Sequence, residues 1–311
     1  MDRESLQKII TEFANSSPTN YLQPRITEAE AQRQLESADE SGFRKNNYFG
    51  KTAYDPMIYN KDKDDRYIGL RFFGDPIFSV GSASDPGFLL LKQQDVVGSH
   101  HKMPEDWLPG AQTVISVFLP YSDRVLESNL ADPKQPSLEW MFTRVDGQSH
   151  LLATGLAVAD ALRGEGWQAV VPQTDDRFKL QTAVRIMGED TPLYTSNWSE
   201  RHVAYVSGLG TFGLSTCLIS KKGSAGRLIS IVTNWPCEPD AKDYSGFLDY
   251  CSKCGACIRR CPADAIGLNC SKDKQKCGVY VGKVSAPHSP RYGCGKCQSA
   301  IPCQRKPMNH A

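Results

Sequence analysis

The run CSKCGACIRRCP places Cys251, Cys254, Cys257 and Cys261 in the order C-x2-C-x2-C-x3-C-P. This spacing presents three thiolates to one cubane iron–sulfur cluster and a fourth to another. Close spacing wraps a loop around one cluster, and the following turn, stopped by Pro262, aims Cys261 away from it. A zinc ribbon uses paired C-x2-C knuckles and has no need of a third and fourth cysteine at these offsets. A second cluster requires three more thiolates, and Cys270, Cys277, Cys294, Cys297 and Cys303 are the candidates. In GCGKCQSAIPC five residues, rather than the usual three, separate Cys297 from Cys303. The expected partition is Cys251, Cys254, Cys257 and Cys303 on one 4Fe-4S cluster and Cys261, Cys277, Cys294 and Cys297 on the other. Cys270 is an alternative to Cys277, or a bystander. Nine of the eleven cysteines lie from Cys251 to Cys303, a clustering that points to metal rather than to a disulfide framework. Cys217 and Cys237 read as small buried residues.

Two clusters imply one-electron traffic between a low-potential donor, such as ferredoxin or flavodoxin, and a redox centre in the rest of the chain. The stretch SGLGTFGLST, residues 207–216, contains G-x-G-x-x-G, which binds a dinucleotide only between a preceding strand and a following helix. Here Ser199 is positioned to cap a helix carrying Val203, Ala204 and Val206, and the glycines are followed by two β-branched runs joined by KKGSAG, a hairpin pattern. That order is the reverse of the dinucleotide arrangement. The glycines serve either a tight turn or the close approach of backbone to a bulky planar ligand. Glu200, Arg201 and His202 offer an acid or a base, or are solvated helix charges; the adjacent His100 and His101 face opposite sides of an extended strand.

The elements that must position these residues read as an α/β (α+β) core. TVISVFLPYS, residues 113–122, is a buried strand after a Pro-Gly turn; SHLLATGLAVADALRGEGW is helical up to Gly164, and QAVVPQT returns to strand character. The expected organisation is a helical and irregular N-terminal segment (1–60), an α/β core (61–240) and a ferredoxin-like double-cluster domain (241–311). With 36 Lys and Arg against 35 Asp and Glu, the chain as a whole lacks the basic field typical of nucleic-acid binders. No apolar run reaches the roughly 18 residues of a membrane span, and the N-terminus has no signal-peptide pattern, so a cytoplasmic protein without membrane partners is expected.

SERHVAYVSGLGTFGLSTCLIS followed by IVTNWPCEPD and the cysteine run, with LPGAQTVISVFLPY upstream, resembles the epoxyqueuosine reductase family and, more distantly, the reductive dehalogenases. The resemblance covers roughly residues 105–305. It implies a core similar to the flavin nitroreductase and cobalamin-processing fold, and a cobalamin reduced through two 4Fe-4S clusters. It also implies that the Gly-rich turn lies against the corrinoid, making Gly208, Gly210 and Gly213, with Leu209 and Phe212 beside them, the cofactor-binding candidates. The family's aspartate proton donor falls at Tyr194, six residues before Glu200; reductive dehalogenases use a tyrosine as donor, and Arg201 or Arg185 is available to stabilise a phenolate. Tyr194 and then Glu200 are therefore the catalytic candidates. The chain stops eight residues after Cys303, without the extension by which some family members grip tRNA, which favours a small-molecule substrate. Corrinoid-dependent reduction of an organic substrate is the expected function. The rivals are an electron-transfer partner with no substrate of its own and an activator of another protein's corrinoid.

Overall fold

The computed structural model describes residues 1–24, 26–37, 65–181, 184–186, 189–191 and 195–308. Tyr194 and residues 38–64 lie outside them. Among the described residues, no helix is long and apolar enough to cross a membrane.

The apolar run at residues 113–120 becomes the centre of the molecule. Helix α1 (Arg3–Ser16) precedes strands β1 (Ile77–Ser82) and β2 (Thr113–Pro120), helices α2 (Leu138–Val145) and α3 (Gly147–Gly164), and the short strand β3 (Ala169–Val170). Helix α4 (Glu200–Val206), strands β4 (Gly210–Phe212), β5 (Leu218–Ser220) and β6 (Gly226–Thr233), and helices α5 (Ala256–Arg259) and α6 (Lys274–Ser285) follow. The main sheet has the order β1-β2-β6-β3, and all its pairs are antiparallel. The mixed helix-and-strand core is thus of the α+β kind.

Every residue of β2 but Pro120 is buried, because both faces of the sheet are covered. Ile115, Val117 and Leu119 join Leu6 and Ile10 of α1 and Leu151 and Leu162 of α3. On the other face Val114 and Val232 pack with Trp198, Val203 and Val206, and Phe118 and Leu228 pack with Ala204 and Leu209. The apolar stripe of the N-terminal helix, Leu6, Ile10 and Ala14, is fully buried in the core.

Helix α4 does precede the Gly-rich turn, as the sequence predicts. The expected hairpin across KKGSAG does not form between β5 and β6: β5 pairs with β4, while β6 crosses to β2 and β3. A Cβ on Gly210 would lie 2.1 Å from the Ile219 carbonyl oxygen on the paired strand. The close approach at this glycine is therefore backbone to backbone. Gly210→Val is expected to break the β4–β5 hairpin and lower the melting temperature by several degrees, as about 2 kcal/mol or more does in a protein of this size. A variant with unchanged melting temperature would show that the hairpin has room to give.

Candidate redox site

The C-terminal cysteines fall into two groups. Cys251, Cys254, Cys257 and Cys303 line one small cavity together with Gly213, Leu214 and Met308. Lys253 and Gly255 adopt left-handed conformations (φ 54° and 70°), which curls the loop so that its three cysteines share this cavity. Cys303 comes from far along the chain. Ala300, also left-handed at φ 55°, absorbs the longer spacing after Cys297. The chain then docks on the core, where Cys303 and Gln304 accept backbone hydrogen bonds from Ser224 (2.9 Å) and Ala225 (3.3 Å).

Cys261, Cys277, Cys294 and Cys297 lie on the wall of a much larger cavity of about 1120 Å³. Pro262 ends the turn after α5, and Cys277 projects from the first turn of α6, which Asp273 caps by accepting from the Lys276 amide. Gly295, at φ 68°, leaves space for the Trp140 indole, only 2.0 Å from where a Cβ would stand. Cys270 is not on this wall. Its thiol donates to the Gly213 carbonyl (3.2 Å), and burial, aided by the nearby Cys251 and Cys217, pushes its pKa upward. Of the two alternatives for the second group, Cys277 is the one on the wall.

Two lysines, the half-buried Lys272 and the buried Lys296, face the second group. Lys272 points its ammonium at Cys297 Sγ (3.8 Å), and the nearby sulfurs of Cys297, Cys217 and Cys277 hold its pKa above the usual lysine value. Lys296, fully buried, donates to the Asn129 carbonyl (2.8 Å), Asn129 Oδ1 (3.1 Å) and the Asp132 carbonyl (2.7 Å); burial lowers its pKa to about 8. Cys217, read from sequence as a small buried residue, is buried and borders the large cavity, and its pairing with Cys297 holds its thiol below the usual range. Neither lysine carries a signal in the spacing that exposed the cysteines.

The opposite wall is built from α4 and the residues before it. Trp198 is locked by its indole bond to Ser230 Oγ (2.8 Å) and stacks on His101. Ser199, expected to cap α4 with its side chain, instead bonds His202 Nδ1 through its hydroxyl (2.7 Å) and donates its amide to His101 Nε2 (3.2 Å). Burial depresses both imidazoles, His101 to about 4 and His202 to about 3, so both are neutral at pH 7. Glu200 behaves oppositely. Burial raises its carboxyl to about 7, with Gln173 and Ser230 pulling it back. Arg227 donates to Gln148 Oε1, Gln148 Nε2 to Gln173 Oε1 (3.4 Å), and Gln173 Nε2 to Glu200 Oε1 (2.9 Å). All the donors in this chain point toward Glu200, fixing Oε1. The buried Oε2 has no hydrogen-bond partner among the described residues.

Gly208, Leu209, Gly210 and Phe212 are not among the residues lining the large cavity, and Gly213 borders the small one. Their close contacts are to protein: Gly208 faces Ser79, Gly210 and Gly213 face Ile219, Leu209 joins the core and Phe212 packs on His202. In the fold these five close the turn and hairpin behind α4. Tyr194 lies outside the described residues, so of the two proton-donor candidates only Glu200 is placed.

A family description for a 4Fe-4S binding domain matches residues 247–267. The chain is 32% identical over 117 residues to an epoxyqueuosine reductase of Staphylococcus aureus (strain NCTC 8325 / PS 47) and 33% identical over 113 residues to one of Francisella cf. novicida (strain Fx1). The matches span 34% and 33% of this chain and 30% and 31% of those proteins, about a third of the length of the curated relatives. A catabolic reductive dehalogenase in complex with 3-bromo-4-hydroxybenzoic acid superposes on 98% of this chain and 37% of its own, with a TM-score of 0.50 and 13% identity. The chain therefore resembles the epoxyqueuosine reductases in sequence, carries a 4Fe-4S binding domain, and has a fold similar to that of a reductive dehalogenase.

Proposed function

We propose that the chain is an iron–sulfur oxidoreductase that passes electrons through two 4Fe-4S clusters to a cobalamin in the large cavity, where an organic substrate is reduced. The observation that carries this reading is that the second cysteine group and Glu200 border the same cavity. A simple relay needs no such chamber. Its volume of about 1120 Å³ exceeds the roughly 300–1,000 Å³ of ordinary small-ligand pockets, and Trp198, Phe118, Tyr121 and Trp140 on its wall suit a large flat ligand. The residues fit a corrinoid, with the lining of the cavity rather than the Gly-rich turn as its walls.

When bound, the corrinoid supplies a low-valent, strongly nucleophilic cobalt. The protein's own part is to hold the two thiolate groups in series, to keep Lys272 and Lys296 as fixed positive charge beside the second, and to present a proton at Glu200 Oε2. The aromatic wall excludes water from the reacting face. Reduction of a carbon–heteroatom bond, as the names of the relatives indicate for an epoxide and the dehalogenase likeness suggests for a carbon–halogen bond, fits this arrangement. Anaerobic reconstitution with iron, sulfide and cobalamin followed by metal analysis is expected to give about eight irons and one cobalt per chain. Four irons with no retained cobalt would reject the reading in favour of a relay.

A further inference from the structure

The chain's near-zero net charge conceals a strong asymmetry. From Tyr250 to Ala311 there are eleven Lys and Arg but only two acids, Asp264 and Asp273, a formal +9 in a chain whose total is +1. No Asp or Glu occurs at 250–263 or at 274–311. The overall balance therefore says nothing about what this segment meets.

Some of these cations face inward. Lys272 and Lys296 lie against the second cysteine group, and Arg291 forms a buried ion pair with Asp146 (2.9 Å). Others gather outside the first group. Lys253 lies in the exposed stretch 252–254, beside the exposed Cys254. Arg259 is exposed and donates to the Cys254 carbonyl (3.1 Å). Lys306 lies on the exposed strip after Cys303, and that strip is held beside the first by the bond from the Met308 amide to the Tyr250 carbonyl (3.1 Å). None of Lys253, Arg259 and Lys306 pairs with a carboxylate among the described residues. Met308, 37% exposed, and Phe247, 53% exposed, add apolar surface close to this ring of charge.

An exposed cysteine of a redox group, apolar contact area and unpaired cations on one face form a port for charge-steered electron transfer. We propose that this face docks a small one-electron carrier protein whose own redox centre is ringed by Asp and Glu. The proposal rests on the reading of Cys251, Cys254, Cys257 and Cys303 as cluster ligands. In each encounter the reduced carrier gives up one electron and the cluster at the first group takes it, with no proton or bond exchanged; two encounters supply a two-electron reduction. A protein carrier is favoured over RNA because the cations lie around the exposed cysteine at an electron entry point.

The test uses the reconstituted full chain and its Lys253→Glu/Lys306→Glu variant, mixed in a stopped-flow instrument with reduced flavodoxin or with photoreduced deazariboflavin, a small neutral reductant. The iron count of the unmodified chain first checks the ligand reading on its own. With flavodoxin, the wild-type rate is expected to fall as salt rises, and the variant to be about 10-fold or more slower at low salt with its salt dependence flattened. With deazariboflavin the two proteins should match. If charge reversal reduces the iron content, the Lys253→Gln/Lys306→Gln variant takes its place, with about 3-fold slowing expected. Equal flavodoxin rates for variant and wild type overturn the proposal. So does loss of stem-loop RNA binding in the variant with the flavodoxin rate preserved, which would assign the face to RNA.

Discussion

Cys261→Ala is expected to leave about four of eight irons, and the four that remain should be those of Cys251, Cys254 and Cys257, its own neighbours in sequence. The reason is geometric: Cys261 lies with Cys277, Cys294 and Cys297 on the large cavity, whereas the other three face the small one with Cys303. Cys303→Ala should produce the converse, removing the cluster next to Cys254 and sparing the one at the cavity. The two variants are distinguished by electron paramagnetic resonance of the dithionite-reduced proteins. In the Cys261 variant the surviving cluster should still take an electron from the proposed carrier, whereas a cobalamin bound as proposed should no longer be reduced. If Cys261→Ala instead removed the signal that Cys303→Ala removes, the partition into these two groups would be wrong.

The cysteine groups were legible because ligand spacing is a short-range property. Three thiolates within seven residues leave the loop few ways to wrap, and only Cys303, after two additional residues, needed the left-handed turn at Ala300 to be seen in three dimensions. The strand at 113–120 was equally legible, since seven consecutive buried positions leave a mostly apolar run with no regular polar alternation. Its antiparallel neighbours were not, because β6 reaches β2 from more than 100 residues away. The Gly-rich turn is ambiguous for a related reason. A glycine reports that something approaches closely, but not whether that is a ligand or the Ile219 carbonyl. The chain of donors from Arg227 to Glu200 unites segments at 148, 173, 200 and 227, and none of these residues stands out in its own stretch. The charge of the cysteine domain was available to simple counting, but averaging over the whole chain hid it.

Glu200→Gln should slow substrate turnover by roughly 100-fold or more, the loss expected when a general acid is removed, while iron content, cobalamin retention and cobalt reduction stay unchanged. Burial raises the carboxyl from 4.5 to about 7, so near neutral pH a large fraction carries the proton an acid must deliver. The donor chain holds Oε1, while Oε2 has no hydrogen-bond partner among the described residues. Wild-type turnover should accordingly decline as pH rises through about 7, and the residual activity of the variant should lack this step. Stability supplies an independent readout with a definite sign. Because the folded-state pKa is raised, ionisation opposes folding: the wild type loses stability progressively from pH 4.5 up through about 7, by at most about 3 kcal/mol at 1.36 kcal/mol per unit. Glutamine cannot ionise, so the variant should gain on the wild type as pH rises. A variant with that stability gain but wild-type turnover would make Glu200 a buried structural carboxyl, and the proton would have to come from elsewhere on the cavity wall.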